Sequence, residues 1–108
     1  MNLEATFDKC DPKTGEVIAK YKNFSLDEVF AQVNLAQTAS IRWQEFGFTA
    51  RKRTLLKWAS YITKNQSEIA ALVATECGKP ISDASLEVSI SIDNLAWAAK
   101  HAEEIMQK

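Results

Sequence analysis

Apolar residues recur at three- and four-residue spacing through most of the chain from residue 26 onward, the spacing that places one face of an α-helix on a core. Short polar or glycine-containing links divide this pattern into four stretches. They predict helices at about 26–46, 50–64, 67–77 and 82–107, and the short links predict that the first three helices pack as neighbours. The residues predicted to face inward are Leu26, Val29, Val33, Ala36, Ser40 and Trp43; Leu55, Trp58, Ala59 and Ile62; Ile69, Leu72, Val73 and Cys77; and Ala84, Val88, Ile92, Leu95, Ala99, Ala102 and Ile105.

Three polar motifs mark where helices begin and end. Ser25-Leu26-Asp27-Glu28 is a capping box, and Asn65-Gln66-Ser67-Glu68 repeats its logic at the start of the third helix. In Thr75-Glu76-Cys77-Gly78-Lys79-Pro80, the glycine accepts a left-handed conformation and the proline prevents the helix from resuming. The chain is therefore predicted to turn between the third and fourth helices.

The residues before the first helix predict a β-hairpin. Residues 5–9 and 16–21 alternate weakly between apolar and polar, and Asp11-Pro12-Lys13-Thr14-Gly15 between them describes a type I turn followed by a left-handed residue. We expect strands near 4–10 and 16–21, which form a hairpin at about 4–21. A two-stranded hairpin is marginal in water, so it requires another element to lie against.

The fourth helix predicts a missing partner for the whole chain. If it runs from 81 to 107 it is roughly 40 Å long, whereas a compact chain of this size has a radius of gyration of about 13 Å. Ser82, Ser85 and Ser89 form a second face of small residues, which suits close approach of another element. Trp97 falls outside the main apolar stripe and is expected to face solvent or a second surface.

Composition and charge exclude several classes of partner. The 13 lysine and arginine residues against 14 aspartate and glutamate residues give a net charge of −1, which provides no footprint for nucleic acid or an anionic membrane. No apolar run approaches the roughly 18 residues that span a bilayer, and the first residues lack the features of a signal peptide. A cytoplasmic protein is predicted, with Cys10 and Cys77 as reduced thiols.

Candidate catalytic groups are weak on physical grounds. His101 lies on a helix without a nucleophile or an orienting group in the pattern around it, which favours an exposed, non-catalytic histidine. Cys77 ends a helix, where the dipole disfavours a thiolate. Glycine occurs only at 15, 47 and 78, so the chain has no glycine-rich loop to bind a cofactor phosphate. For the aromatic residues, core packing is favoured over a ligand pocket, with Trp97 left open; they are Trp43, Trp58, Trp97, Phe46, Phe48 and Tyr61.

Two of these motifs carry a family resemblance when they occur together, namely the Asp11-Pro12-Lys13-Thr14-Gly15-Glu16 hairpin and the Glu76-Cys77-Gly78-Lys79-Pro80 turn. In order and spacing along nearly its whole length, the chain resembles the N-terminal region of the NAD(P)-dependent aldehyde dehydrogenase superfamily, and points to the succinate-semialdehyde dehydrogenase type. It departs from the family pattern at Asp11, usually asparagine, at Ala50, often an acid, and at Trp97, often tyrosine. The further matching positions are Val17, Ile18, Trp43, Arg51, Leu55, Glu87, Val88, Ala102, Glu103 and Glu104.

The resemblance implies a mainly α fold with a short N-terminal β-hairpin, which is the N-terminal helical layer of an aldehyde dehydrogenase-like α/β (Rossmann-like) fold. Family members are several times longer. Their catalytic cysteine, glutamate base, oxyanion-binding asparagine and nucleotide loop are all expected downstream of Lys108. The resemblance implies NAD or NADP for a full-length enzyme and no cofactor held by this chain, which acts as scaffold while a thiolate elsewhere attacks the aldehyde.

The resemblance also implies two sites. Many family members hold a monovalent cation beside the hairpin and the turn, and the matching groups here are the carbonyl of Cys10, with that of Lys9, and Glu76. Ile90, Asn94 and Trp97 match the helix that borders the family's substrate tunnel, although structural packing explains them equally well.

Two hypotheses follow for the chain as a whole. The first is an N-terminal segment of an aldehyde dehydrogenase, present as a fragment or a truncated gene product and inert alone, whose partner is the remainder of the enzyme. The second is a non-catalytic helical adaptor that binds itself or another protein through exposed apolar helix faces. Neither hypothesis involves nucleic acid or a membrane.

Overall fold

The structure is a computed structural model that describes residues 6–107. Within these residues, two strands precede four helices, so the predicted mainly α fold with an N-terminal hairpin is confirmed. The elements are β1 (Thr6–Cys10), β2 (Val17–Lys22), α1 (Leu26–Glu45), α2 (Gly47–Lys64), α3 (Gln66–Cys77) and α4 (Ile81–Met106). Residues 4 and 5 of the predicted hairpin lie outside the described residues.

The hairpin adopts the turn that its sequence predicts. Gly15 has a φ of +76°, and its amide donates to the carbonyl oxygen of Asp11 at 2.8 Å. The amide of Lys13 donates to Oδ1 of Asp11 at 2.7 Å, which holds the first half of the turn. The strands pair antiparallel, with Phe7 opposite Tyr21.

The helix caps agree with the sequence at two of the three motifs. Both bonds of the capping box at Ser25 and Glu28 are present, and Gly78 ends α3 with a φ of +67°. The predicted cap at Asn65 is wrong, because its side chain makes no capping bond to α3. Its Nδ2 instead donates at 2.8 Å to the carbonyl of Tyr61, since Asn65 alone separates α2 from α3 and its side chain lies over the end of α2.

Helix α4 lies at the centre of the helical layer, with both α2 and α3 packed against it. The α3–α4 contact is built on Ala70, Ala84 and Val88, of which both alanines are fully buried. Polar groups complete it, because Nε2 of Gln66 on α3 donates to Oγ of Ser89 on α4 at 2.7 Å. The small side chains of Ala84 and Val88 therefore allow close approach of α3.

The prediction that α1, α2 and α3 pack as neighbours is wrong, because α1–α2 and α2–α3 share only marginal contacts. A single residue, Phe46 or Asn65, links each pair. Antiparallel helices lie 8–10 Å apart and are usually joined by about two to eight residues, so a one-residue link does not fold a helix back alongside its predecessor. Gly47, with a φ of +67°, changes the direction of the chain without folding α2 back along α1, and α2 starts three residues earlier than predicted.

Large apolar side chains cover the outside of the layer rather than a core. Helix α1 has no buried residue, and its predicted inward stripe begins with Leu26, which is 76% exposed. The interpretation of the aromatic residues as core is wrong for Phe46, Trp58 and Tyr61, all of them exposed. The predicted inward positions Leu72, Cys77 and Ile105 are exposed as well, because α3 and α4 approach through alanine and valine positions.

The shape is extended for a chain of this length. The radius of gyration is 18.2 Å and the principal extents are 49 × 40 × 22 Å, against about 13 Å for the radius of gyration of a compact chain of this length. In the described residues, no helix combines the length and the apolar character needed to cross a bilayer.

Candidate functional site

The hairpin docks on the turn between α3 and α4, so the two motifs that the sequence singled out separately meet in space. Pro12 at the tip of the hairpin lies against Gly78. A Cβ added to Gly78 would lie 2.7 Å from Cγ of Pro12, a distance that atoms in proteins do not tolerate. Gly78 therefore serves both the left-handed end of α3 and the close approach of the hairpin.

Two side chains of the hairpin hold the last turn of α3. Nζ of Lys9 donates to the carbonyl oxygen of Glu76 at 2.7 Å, and the hydroxyl of Tyr21 donates to Oε1 of the same residue at 3.2 Å. The last carbonyls of a helix lack intrahelical partners and carry the negative end of its dipole, so an ammonium group is stabilising there. The Glu76 carboxylate in turn raises the pKa of Tyr21, because it accepts a hydrogen bond from the phenol and its negative charge opposes a phenolate.

The structure brings together two of the residues predicted to hold a cation. Lys9 and Glu76 are in direct contact, whereas the side chain of Cys10, the next residue along β1, is exposed. Within residues 6–107, no group of three or more His, Cys, Asp or Glu side chains could hold a metal ion. A cation bound by the carbonyls of Lys9 and Cys10 stays a prediction.

The turn itself is fixed to α4 by an ion pair. Nζ of Lys79 contacts Oε1 of Glu87, and the carboxylate raises the pKa of Lys79 by accepting a hydrogen bond from its ammonium. Glu87 lies six residues beyond Ile81, the first residue of α4, so the pair joins residues on both sides of Pro80. The hairpin, the end of α3 and the start of α4 therefore form one connected unit.

The predicted tunnel residues share the face of α4 that points away from α2 and α3. Ile90, Asn94 and Trp97 recur at four- and three-residue spacing and are all exposed, with Trp97 at 58%. The Trp97 indole stacks on the ring of His101 at a centroid distance of 4.8 Å, and Nδ1 of His101 donates to the Trp97 carbonyl at 2.8 Å. The expectation that Trp97 faces away from the main stripe is confirmed, and a tunnel beside it stays a prediction.

A cleft of about 190 Å³ lies between α2 and the end of α4, with a mostly apolar lining that includes Trp43, Leu55 and Met106. Arg51 lies at its edge, with its guanidinium 4.5 Å from the ring centre of Phe48. Nε of Arg51 also donates to the carbonyl of Gly47 at 3.2 Å, at the first turn of α2. Arg51 therefore orders the start of α2 and the aromatic ring beside it.

Sequence reasoning missed the contacts of Lys9 and Tyr21 with Glu76. Strand alternation contained a usable signal, because the observed register places Phe7, Lys9, Ala19 and Tyr21 on one face of the hairpin. A lysine among apolar residues on the face that must be covered indicates a partner with exposed oxygens. The end of α3 provides them.

Comparison with known proteins gives a consistent result over nearly the whole chain. The model of the aldehyde dehydrogenase family matches residues 2–108. Succinate-semialdehyde dehydrogenase (NADP(+)) 2 from Schizosaccharomyces pombe is 32% identical over 97 residues, which cover 90% of this chain and 20% of the relative. D-glyceraldehyde dehydrogenase (NADP(+)) from Thermoplasma acidophilum is 30% identical over 100 residues, which cover 93% of this chain and 20% of the relative.

A solved structure agrees with the sequence relatives. Glyceraldehyde-3-phosphate dehydrogenase GapN from Methanocaldococcus jannaschii, complexed with NADP, matches with a TM-score of 0.85 at 28% identity and covers 95% of this chain. The match covers 22% of the GapN chain. The chain thus spans about one fifth of the length of the proteins that it matches.

Proposed function

This chain belongs to the aldehyde dehydrogenase family, and we propose that it is the N-terminal structural layer of an NAD(P)-dependent enzyme that oxidises an aldehyde to a carboxylate. In this proposal the chain supplies scaffold. The catalytic cysteine, the general base and the nucleotide-binding loop belong to the remaining four fifths of such an enzyme.

The observation that carries the proposal is the distribution of apolar side chains. The buried residues of the described part are four alanines and one valine, whereas Leu26, Phe30, Leu35, Trp58 and Trp97 are more than half exposed. Soluble monomers rarely expose contiguous apolar patches of more than a few hundred Å² unless those patches bind something. A larger protein of the same family, folded over both faces of the layer, accounts for this exposure.

The names of two relatives support the choice of substrate and cofactor. Both specify succinate semialdehyde and NADP, and on that basis a small aldehyde acid is the proposed substrate and NADP the proposed hydride acceptor. When bound, the nicotinamide accepts hydride from the aldehyde carbon after a thiol has added to it. Within this chain, Ile90, Asn94 and Trp97 are proposed to border the path of the aldehyde. A cytoplasmic location fits the same proposal.

A second function is favoured by α1, which has no buried residue and presents Val29, Phe30 and Val33 to solvent. Such a face suits a non-catalytic adaptor that associates with itself or with another protein. The two functions differ in the partner that covers the layer, namely the rest of the same enzyme or a separate protein.

The test is to extend the reading frame beyond Lys108 and to assay both products for reduction of NADP or NAD in the presence of succinate semialdehyde. We expect turnover by the longer product and none by the 108-residue chain. Turnover by the short chain would refute the scaffold role. A reading frame that stops at Lys108, together with a monodisperse oligomer in solution, would instead support the adaptor.

Variants of the longer product test the tunnel residues separately. Trp97→Ala is expected to change KM for the aldehyde more than kcat, because Trp97 is proposed to shape binding rather than chemistry. Leu72→Ala is the matched control, since Leu72 is also 58% exposed but lies on α3. Equal KM values for Trp97→Ala and Leu72→Ala would remove Trp97 from the substrate path.

A further inference from the structure

We propose that the ammonium group of Lys9 is the built-in cation of the junction between the hairpin and the α3–α4 turn, in the place of the monovalent metal ion that the family resemblance implies. The inference concerns the chain's own contacts and does not depend on the proposed enzymatic function. It predicts a junction whose stability is insensitive to sodium and potassium.

Lys9 Nζ lies at the end of α3. It lies 2.7 Å from the carbonyl oxygen of Glu76, and the two residues are 67 positions apart in sequence. This carbonyl belongs to the last turn of α3, where oxygens without intrahelical partners attract a positive charge. Glu76 is also the residue predicted to bind a monovalent metal ion from this side, so the ammonium already lies beside a predicted cation ligand.

A monovalent metal ion would compete with the Lys9 ammonium at this junction. An ammonium is a compact, strongly hydrated point charge with three donors, so it meets the same oxygen ligands as a metal ion of equal charge. Two like charges a few ångströms apart repel, and the Glu76 carboxylate already accepts a hydrogen bond from the Tyr21 hydroxyl at 3.2 Å. A second cation would therefore have to displace Lys9 rather than join it.

The contact between Lys9 and Glu76 also holds the hairpin on the helical layer. A two-stranded hairpin is marginal alone and needs tertiary contacts to remain ordered. Lys9 is half-buried, lies one residue from the end of β1 and joins that strand to α3, while Pro12 joins the tip to Gly78. The ammonium therefore connects the hairpin to the helical layer without an external ion.

The experiment measures hydrogen exchange by mass spectrometry on the full chain, in peptides from residues 6–22 and 73–81. Samples in KCl, NaCl and choline chloride are compared at equal ionic strength. We expect the three salts to give the same exchange rates. We expect Lys9→Gln to exchange about tenfold faster in both segments, because a hydrogen bond to a charged group is lost. Lys9→Arg should retain the protection, since it keeps the charge.

Lys20→Gln is the matched control. It removes the same charge from the same hairpin, but Lys20 pairs with Asp8 at 2.8 Å on the exposed side, with 66% of its side chain accessible. Such surface pairs contribute little, so exchange should rise by less than about threefold. Slower exchange of the unchanged chain in KCl or NaCl than in choline chloride would overturn the proposal. The proposal would also be overturned if hydrogen exchange in Lys9→Gln were no faster than in Lys20→Gln. Circular dichroism confirms that each variant retains its helices.

Discussion

Gly78→Ala tests the docking of the hairpin on the helical layer more sharply than any other single substitution. Gly78 has a φ of +67°, and a Cβ at this position would lie 2.7 Å from Cγ of Pro12. Gly47 provides a control within the same chain, because it also has a φ of +67° but nothing lies within 4 Å of its added Cβ. Both substitutions strain the backbone, and only one meets a neighbour.

The two costs can be separated in magnitude. An alanine in the left-handed region costs about 1–2 kcal/mol, and this applies to Gly47→Ala and Gly78→Ala alike. The entropy that alanine removes from the unfolded chain is also common to both and cancels in the comparison. Overpacking against a rigid proline ring adds about 1–3 kcal/mol at Gly78 alone. The extra cost corresponds to roughly a 5- to 150-fold change in the equilibrium between docked and undocked hairpin.

Hydrogen exchange in residues 6–22 reads this equilibrium directly. We expect Gly78→Ala to accelerate exchange there by roughly 5- to 150-fold more than Gly47→Ala does, with the overpacking cost as the source. In a Pro12→Ala background the offending Cγ is absent, so Gly78→Ala should then cost no more than Gly47→Ala. Equal exchange for the two single variants would refute the contact between Pro12 and Gly78.

Three further predictions concern the α3–α4 packing, the capping box of α1 and the hydrogen bond between Tyr21 and Glu76. Ala70→Val should lower the free energy of unfolding by about 1–3 kcal/mol in urea, since Ala70 is fully buried. Ala71 is exposed, so Ala71→Val should change the free energy of unfolding by no more than about 0.5 kcal/mol. Equal effects of the two substitutions would contradict the α3–α4 contact. Ser25→Ala should cost about 1 kcal/mol, seen as faster exchange in the first turn of α1, whereas unchanged exchange would argue against the capping box. Glu76 raises the pKa of Tyr21 above 10.0, so the hydrogen bond stabilises the fold fully at lower pH and this stabilisation is lost as the pH rises through the raised pKa. The unfolding midpoint should therefore fall less steeply above pH 10 in Tyr21→Phe than in the unchanged chain. Identical dependence of the midpoint on pH in the two proteins would exclude the bond.

Local signals predicted the elements well, whereas the contacts between elements were harder to predict. The left-handed glycines at 15 and 78 and the capping box at Ser25 depend on a few adjacent residues, so the sequence contains the full physical cause. The cap at Asn65 failed because it depends on how α2 ends, which its motif does not encode. The apolar stripe of α1 was correctly periodic, but periodicity identifies a face to be covered and does not identify what covers it.

The candidate site shows the same division. The hairpin and the turn were each predicted as motifs, and the resemblance placed Cys10 and Glu76 beside each other. The role of Lys9 Nζ was not predicted, because a long side chain can reach several oxygens and its choice depends on where the hairpin docks. Pro12 against Gly78 is equally non-local, since it joins positions 66 residues apart (78 − 12). Docking geometry, rather than residue type, determined both contacts.

The size of the buried residues is the physical reason to expect a cover over this layer. Among residues 6–107, each residue exposed by 6% or less is alanine or valine, so the helix contacts bring backbones close but remove little apolar area from water. The layer is 22 Å thick, about two helix diameters, and therefore both of its faces reach the surface. Domains are built from layers that bury their apolar faces against one another. Here large side chains such as Leu26, Phe30 and Trp58 are exposed on the outer faces. A partner that binds only the folded layer stabilises it in proportion to its affinity, so the unfolding midpoint of this chain should rise when its cover is supplied.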